Sequence, residues 1–151
     1  MADGSLESVD RLICQLLAAD GRMSFTELGK QTGLSTSAVH QRVKRLEQRG
    51  VIRGYGATID FREVGLPLTA FISIRPIDPS QPDDSPVQLA GIAEIESCHS
   101  VAGDESYILK VRVAEPSDLE DLLARIRVAA NVSTRTTIVL STPYEQRIPR
   151  F

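Results

Sequence analysis

The chain has 151 residues, of which 42% are hydrophobic, so it can bury a core and form one domain or two small ones. Its formal net charge of −3 excludes a uniformly basic nucleic-acid-binding protein. The cations are nevertheless concentrated in one segment, since Glu47 is the only acid between Ser35 and Gly54. The basic residues of that segment are Arg42, Lys44, Arg45, Arg49 and Arg53. Such a basic stripe on an acidic chain is typical of a protein that presents one face to phosphates.

The two cysteines, Cys14 and Cys98, are too few for a disulfide framework, and both are predicted to be small buried hydrophobic residues. The first residues are acidic, and no apolar run is long enough to span a membrane. These features predict a cytoplasmic protein without a secretion signal and without a membrane partner, associated with the nucleoid if it binds DNA.

Two helices are predicted before residue 33. The first ends at Asp20 and carries an apolar stripe at helical spacing, formed by Val9, Leu12, Ile13, Leu16 and Leu17. The second begins at Ser24, where Glu27 lies three residues later and completes a capping box. It is short, because Gly33 supplies a turn.

The third predicted helix is capped by Ser35, ends near Arg49 and has two contrasting faces. At 100° per residue, Val39, Val43 and Leu46 share one face, which is expected to pack on the other two helices. The opposite face is polar and contains no acid. It carries Ser37, Gln41, Lys44 and Gln48, with His40 and Arg45 at its edges. A short capped helix, a turn and a longer basic helix form the layout of a helix-turn-helix.

The polar face of the third helix is predicted to enter the major groove of double-stranded DNA. Gln41 suits a bidentate bond to adenine and Ser37 suits either base type, whereas the long cations suit phosphates. The predicted DNA-binding residues are Ser35, Thr36, Ser37, His40, Gln41, Lys44, Arg45, Arg49 and Arg53. The alternative is that these are solvated residues of an ordinary helix, since exposed charges usually are, but the helix-turn-helix layout favours DNA binding.

The stretch after the third helix is predicted to be an extended linker. From residue 51 to 60 the pattern is extended, since Tyr55, Ala57 and Ile59 alternate along it. Gly54 and Gly56 at least bend the linker, and that role alone is enough to explain them. Gly65-Leu66-Pro67 is typical of a break between domains. The predicted domains are therefore a helix-turn-helix at 1–52, a β linker at 53–66 and a second domain at 67–151.

The second domain is predicted to alternate strands and helices. Strands are expected at 68–75, 99–102, 107–113 and 134–141, with an exposed proline-rich loop at 76–86. One helix is expected to face inward with Leu89, Ile92 and Ala93. A capping box of Ser117 and Glu120 is expected to open the other. The order β-α-β-β-α-β predicts an α+β protein whose second domain is ferredoxin-like.

Over nearly its whole length the chain resembles the Lrp/AsnC family, also called feast/famine regulators. The resembling segments are 6–13 (LESVDRLI), 25–29 (FTELG), 34–35 (LS), 43–47 (VKRLE), 52–55 (IRGY) and 59–60 (ID). The resemblance implies an N-terminal winged helix-turn-helix and a C-terminal ligand-sensing domain. It also implies dimers that commonly assemble to octamers, and control of genes by amino acids or related metabolites.

The resemblance places the effector on the loop between the second and third strands of the sensing domain, at a contact between dimers. That loop commonly reads Gly-Asp-Tyr-Asp-Tyr in the family, whereas here it reads GDESY at 103–107. Asp104 is expected to bind an ammonium group and Thr136 to supply a hydroxyl. The predicted effector-binding residues are Ala102, Gly103, Asp104, Glu105, Ser106, Thr134 and Thr136, and no metal or other cofactor is expected.

From spacing alone, Gly-Asp between two strands is more typical of a hairpin turn that needs no ligand, and it is the resemblance that favours an effector site. The departure at Glu105 and Ser106 leaves the effector open, because the extra acid either favours a basic effector or points to water.

Two other functions fit the same architecture. Siroheme decarboxylases resemble this family in both domains, so an enzyme is the main alternative. Against it, His40 lies on the predicted DNA face and His99 is a lone strand histidine, without a nucleophile–base pair, metal-ligand spacing or phosphate loop. A second alternative is a small-molecule-binding module whose basic domain has lost its affinity for DNA.

Overall fold

The computed structural model describes residues 6–80, 83–149 and 151. The chain divides into two compact units, which we call the helical unit (Met1–Thr58 with Tyr144–Phe151) and the sheet unit (Ile59–Pro143). The side-chain amide of Gln15 donates a 2.7 Å hydrogen bond to the carbonyl oxygen of Phe151, within the helical unit. The predicted boundaries differ from this division chiefly because residues 144–151 group with the helices.

The helical unit contains α1 (Ser8–Ala19), α2 (Phe25–Thr32) and α3 (Thr36–Gln48). Both halves of the predicted capping box form, since Ser24 Oγ accepts from the Glu27 N–H and the Glu27 carboxylate accepts from the Ser24 N–H. Gly33 ends α2 with a φ of 74°, a left-handed conformation that glycine adopts without strain. Ser35 caps α3 by accepting from the Ala38 N–H.

The three helices enclose a small apolar core. Its buried members are Ile13, Cys14, Leu17, Leu28, Val39, Val43 and Leu46. Val39, Val43 and Leu46 are therefore on the inner face of α3, as their spacing predicts, and Cys14 is buried as predicted. The opposite face of α3 is directed outward.

The expected β linker is wrong in one respect: residues 51–60 form no strand. A strand needs a neighbouring strand for its backbone N–H and C=O groups, and none of the described residues pairs with this segment. In a single chain this segment is therefore an irregular connection, although its side chains alternate. The wing of the predicted winged helix-turn-helix contains no strand here.

The sheet unit contains β1 (Leu68–Pro76), α4 (Ser85–Leu89), β2 (Ile95–Ser100), β3 (Tyr107–Val113), α5 (Pro116–Ala130) and β4 (Val132–Ile138). The strand order is β2-β3-β1-β4, and every pairing is antiparallel. This arrangement confirms the predicted β-α-β-β-α-β order of a ferredoxin-like domain.

One face of the sheet packs on the helices and the other does not. Ile72, Ile74, Leu109 and Val111 are fully buried and share a core with Leu122 and Ile126 of α5. Because side chains alternate along a strand, the residues between them lie on the second face, where Phe71 is 40% exposed.

Three details of the first β-α-β segment were predicted wrongly. Helix α4 ends at Leu89, so helical spacing does not extend to Ala93, which is exposed. Strand β2 begins at Ile95 instead of residue 99, and it ends at Ser100. Cys98 is exposed because β2 is the edge strand of the sheet.

The last helix and strand also differ from their predicted bounds. Glu115, not Ser117, is the N-cap of α5, and its backbone N–H donates to the carboxylate of Asp118 at 3.1 Å. Pro116 occupies the first turn, where its missing N–H costs nothing. Strand β4 starts at Val132 and ends at Ile138. No helix among the described residues is long and apolar enough to cross a membrane.

Candidate functional site

The outward face of α3 and its flanks forms the first candidate surface. All nine predicted DNA-binding residues are exposed: Ser35, Thr36, Ser37, His40, Gln41, Lys44, Arg45, Arg49 and Arg53. They lie opposite Val39, Val43 and Leu46, which the core covers. The helix therefore exposes its polar side along its whole length.

Local contacts organise the start of this surface. The hydroxyl oxygens of Ser35 and Ser37 are 3.1 Å apart, within hydrogen-bonding distance. The ring of His40 meets Phe25 of α2 edge to face, with ring centroids 5.2 Å apart. His40 is thus in contact with the second helix as well as exposed.

The basic stripe of the sequence separates into two kinds of residue. Among the described residues, no side-chain hydrogen bond or ion pair engages Lys44, Arg45, Arg49 or Arg53. Arg42 differs, because its Nη1 donates to Asp10 Oδ1 at 2.8 Å and to Glu7 Oε2 at 2.9 Å. These bonds, above all the one with Asp10, raise the pKa of the Arg42 guanidinium above its ordinary value.

Glu47, the only acid of the basic segment, also has a hydrogen-bond partner. The Tyr55 hydroxyl donates a 2.9 Å hydrogen bond to Glu47 Oε1. Partial burial, followed by the hydrogen bond to Glu47, raises the pKa of Tyr55 to about 12. The sequence pattern places Tyr55 in a linker and does not predict this contact.

The second candidate surface is a cleft beside the loop between β2 and β3, which we call the effector cleft. Its volume is about 210 Å³. The predicted residues in its lining are Gly103, Asp104, Glu105 and Ser106, and the others are Arg75, Pro76, Pro79 and Asp83. The loop is held by a bond from the Ser106 N–H to the Ile74 carbonyl and by an ion pair between Glu105 and Arg135.

The other predicted effector residues do not line this cleft. Thr134 and Thr136 pair in register with Ile74 and Ile72, so their side chains lie on the helix-packed face of the sheet. Thr134 Oγ1 accepts a 2.8 Å hydrogen bond from Arg127 Nε of α5. Thr136 lines a different cleft, with Leu119 and Leu123 of α5 among its walls, and Ala102 is exposed beside the loop.

Two charged residues that line the effector cleft, Arg75 and Asp83, were not predicted from the sequence. Arg75 stands at the end of β1 and makes no side-chain ion pair with any described residue, and the same is true of Asp104. Asp83 accepts from the hydroxyl of Ser85 at 2.9 Å. Only folding brings these segments together, because Arg75 and Asp104 are distant in the sequence. The described residues contain no group of three histidines, cysteines or acids placed to hold a metal ion.

Comparison with protein families matches both units of the chain. Residues 6–47 match the AsnC-type helix-turn-helix domain, and residues 69–149 match the Lrp/AsnC ligand binding domain. The chain belongs to the Lrp/AsnC family. The predicted family, the α+β fold and the combination of a helix-turn-helix with a ligand-binding domain are confirmed.

Among relatives of this Lrp/AsnC protein, the HTH-type transcriptional regulator LrpA of Mycobacterium tuberculosis is 57% identical over 143 residues, 95% of either chain. The leucine-responsive regulatory protein of Escherichia coli strain K12 is 37% identical, covering 89% of this chain and 85% of its own. A solved structure of a feast or famine regulatory protein from M. tuberculosis, complexed with L-methionine, has a TM-score of 0.95 and 55% identity, covering 97% of this chain and 99% of that one. The predicted function as a transcription regulator of the Lrp/AsnC family is thus confirmed.

Proposed function

We propose that this Lrp/AsnC protein binds double-stranded DNA through the outward face of α3, and that an amino acid bound in the effector cleft changes its affinity for DNA. The DNA half of the proposal depends on one observation. Lys44, Arg45, Arg49 and Arg53 are exposed, on or next to a helix whose other face is buried, and no described residue neutralises them.

The face divides by side-chain length. Ser37 and Gln41 are short and suit base edges in the major groove, with Gln41 matched to adenine. The four cations suit phosphates, which supply affinity but carry no sequence information. Ser35, Thr36 and His40 flank the base-reading residues at the N-terminal part of the helix, the part that contacts bases in helix-turn-helix proteins.

The effector half of the proposal depends on the charges of the cleft. A free amino acid carries an ammonium and a carboxylate group. Asp104 offers a carboxylate to the ammonium and Arg75 a guanidinium to the carboxylate, both without a partner among the described residues. Gly103 lets the ligand approach the backbone closely. Glu105 is already paired with Arg135, so the extra acid does not by itself favour a basic effector.

The effector site can include Thr134, Thr136 and Ala102 only if a second chain contributes these residues. We therefore propose a homo-oligomer, in which dimers assemble further to an octamer and the loop of one dimer contacts the sheet of another. Two recognition helices at a fixed separation also match two half-sites of a duplex. We place this regulator in the cytoplasm, on the nucleoid.

We further propose that the protein is not an enzyme. The ring of His40 contacts Phe25, and the exposed ring of His99 lies 3.1 Å from the hydroxyl oxygen of Ser97 on the open face of the sheet. A titration with siroheme or haem, followed by absorbance, tests the alternative of a siroheme-decarboxylase-like enzyme. A shifted Soret band and loss of a carboxyl group as carbon dioxide would contradict the proposal.

Fluorescence anisotropy with the full chain tests both halves of the proposal. A duplex selected from a random pool is titrated at several salt concentrations, with and without L-methionine, L-leucine or L-lysine. We expect duplex affinity to fall steeply with salt and to change at least severalfold with one of the amino acids. Absence of duplex binding would refute the DNA half, whereas binding unaffected by any amino acid would refute the effector half.

A further inference from the structure

Arg42 is the first cation of the basic stripe but, unlike the other four, is engaged by acids of the helical unit. Its guanidinium bridges two acids near the start of α1, Asp10 at 2.8 Å and Glu7 at 2.9 Å. One nitrogen, Nη1, makes both bonds. Arg42 therefore connects α3 to α1 through ion pairs, whereas the core residues of the helical unit connect the two helices by apolar packing.

Asp10 requires the ion pair with Arg42. It is only 8% exposed, and a buried carboxylate is costly unless a cation and hydrogen bonds compensate it. Arg42 is itself mostly buried, with 21% of its side chain exposed, whereas Glu7 is 68% exposed. The Asp10–Arg42 pair is thus the buried part of the network and Glu7 the solvent-facing part.

The position of Arg42 on α3 couples this network to the DNA-binding face. Arg42 is adjacent to Gln41 and lies two residues before Lys44. With side chains included, a helix has a radius of about 5–6 Å, so a rotation of about 20° around its axis moves a side-chain tip by about 2 Å. Such a displacement is enough to break a bidentate bond to a base edge.

We infer that Arg42 is a positioning residue for DNA recognition: clamped by Asp10 and Glu7, it fixes the rotation of α3 and makes no phosphate contact of its own. This inference rests on the proposed binding of DNA by α3. It separates the five cations of the basic stripe into four that meet the duplex and one that orients them.

The test compares variants of the full chain on a selected duplex and on a random duplex, each over a range of salt concentrations. The variants are Arg42→Met, Asp10→Asn and Glu7→Gln, with Lys44→Ala as the phosphate-contact control. Removal of one phosphate contact lowers the salt slope of log affinity by about 0.9 and weakens both duplexes alike. Loss of positioning leaves the slope unchanged and weakens the selected duplex by about tenfold, the loss of roughly one base contact.

Asp10→Asn gives the sharpest distinction, because it removes a negative charge from the helical unit. Simple electrostatics would then strengthen binding to any duplex. We expect instead that Asp10→Asn weakens the selected duplex as Arg42→Met does, and spares the random one. Unchanged or tighter binding of the selected duplex by Asp10→Asn, or a salt slope that falls in Arg42→Met as it does in Lys44→Ala, would overturn the inference.

Circular dichroism checks that each variant is folded at the assay temperature. If Arg42→Met and Asp10→Asn unfold, Glu7→Gln decides the question, since it removes only the exposed partner. A smaller loss on the selected duplex at constant slope supports positioning, and no loss contradicts it. Failure of the wild-type chain to bind any duplex would refute the proposed DNA binding itself, a result that these variants do not produce.

Discussion

The hydroxyl of Tyr55 donates a hydrogen bond to the carboxylate of Glu47, with 2.9 Å between the two oxygens. The Tyr55 ring also lies beside Gly21, where an added β-carbon would be 3.6 Å from Cδ1 of the ring. The segment that follows α3 is therefore bound to the end of that helix and to the turn after α1. Residues up to Tyr55 move with the DNA-binding helices as part of one unit.

Tyr55→Phe is expected to remove the part of the free energy of unfolding that Tyr55 contributes and that declines at high pH. The pKa of Tyr55 is raised to about 12, against about 10 in an unfolded chain. Its contribution is then fully present below pH 10 and is lost as the pH rises towards 12, because the unfolded state releases its proton first. Since Tyr55 is half exposed, we expect an effect below about 1 kcal/mol.

Urea unfolding of the wild type and Tyr55→Phe between pH 8 and 11.5 measures this difference. The advantage of the wild type should shrink as the pH rises, whereas Tyr144→Phe, which alters an exposed tyrosine, should follow the wild-type curve. A wild-type advantage that stays constant across the range would contradict the prediction.

Replacement of Lys44 and Arg45 by alanine should weaken binding to every duplex. If each side chain meets one phosphate, the slope of log affinity against log salt falls by about 1.8. Anisotropy titrations between low and moderate salt measure the slope, with Arg62→Ala in the sheet unit as the control that keeps it. An unaltered slope in the double variant would exclude these cations from the DNA interface.

Gly29→Ala should destabilise the helical unit, because a β-carbon there would lie 2.7 Å from the carbonyl oxygen of Leu34. This oxygen belongs to the backbone of the turn that leads into α3, so it cannot move without displacing the helix. We expect a loss of about 1–3 kcal/mol in the free energy of unfolding, together with weaker DNA binding. At Gly54 an added β-carbon meets no atom within 4 Å, so Gly54→Ala should stay within about 0.5 kcal/mol of wild type. Equal stabilities of the two variants would contradict the prediction.

Asp104→Asn should abolish the response to the amino acid that proves to be the effector, while DNA affinity without the amino acid stays within about twofold. Asp121→Asn, which alters an exposed acid of α5, is the matched control.

Arg75→Ala should weaken binding of L-methionine but not of L-methioninol, which lacks the carboxylate. Calorimetric titration measures both ligands, and equal losses for the two would remove Arg75 from carboxylate recognition.

Local sequence signals were sufficient for most of the helical unit. Ser24 with Glu27 and Ser35 before a helix are short-range hydrogen-bonding patterns, so they are legible without knowledge of the fold. The same signals misled at α5, where Ser117 and Glu120 compete with the cap that actually forms at Glu115. Two overlapping capping patterns cannot be ranked by spacing alone.

The errors in the sheet unit have a different cause. Strand β2 carries Glu96, Ser97, Cys98 and His99, so it shows no alternation of apolar residues, and a β-bulge interrupts its register. Its strand character comes from pairing with β3, which is a property of the folded chain. The β-like pattern at 51–60 fails for the opposite reason, since its side chains alternate but no described residue pairs with it.

Contacts between distant residues explain what the sequence did not reveal about the candidate surfaces. Arg42 looks like the other cations of its helix, and only the buried carboxylate of Asp10 distinguishes it. Arg75 and Asp83 border the effector cleft because β1 and the loop after it end beside the loop at 103–106. Neither relationship has a characteristic spacing in the chain.

Residues 144–151 group with the helices, so the polypeptide passes between the units twice, at 58–59 and again at 143–144. A protease that cut only the first passage would therefore leave a fragment from 59 to 151 that still carries part of the DNA-binding unit. That fragment would still contain Phe151, whose carbonyl oxygen accepts the hydrogen bond from Gln15 of the other piece. The sheet unit is therefore joined to the helical unit by two covalent connections instead of one.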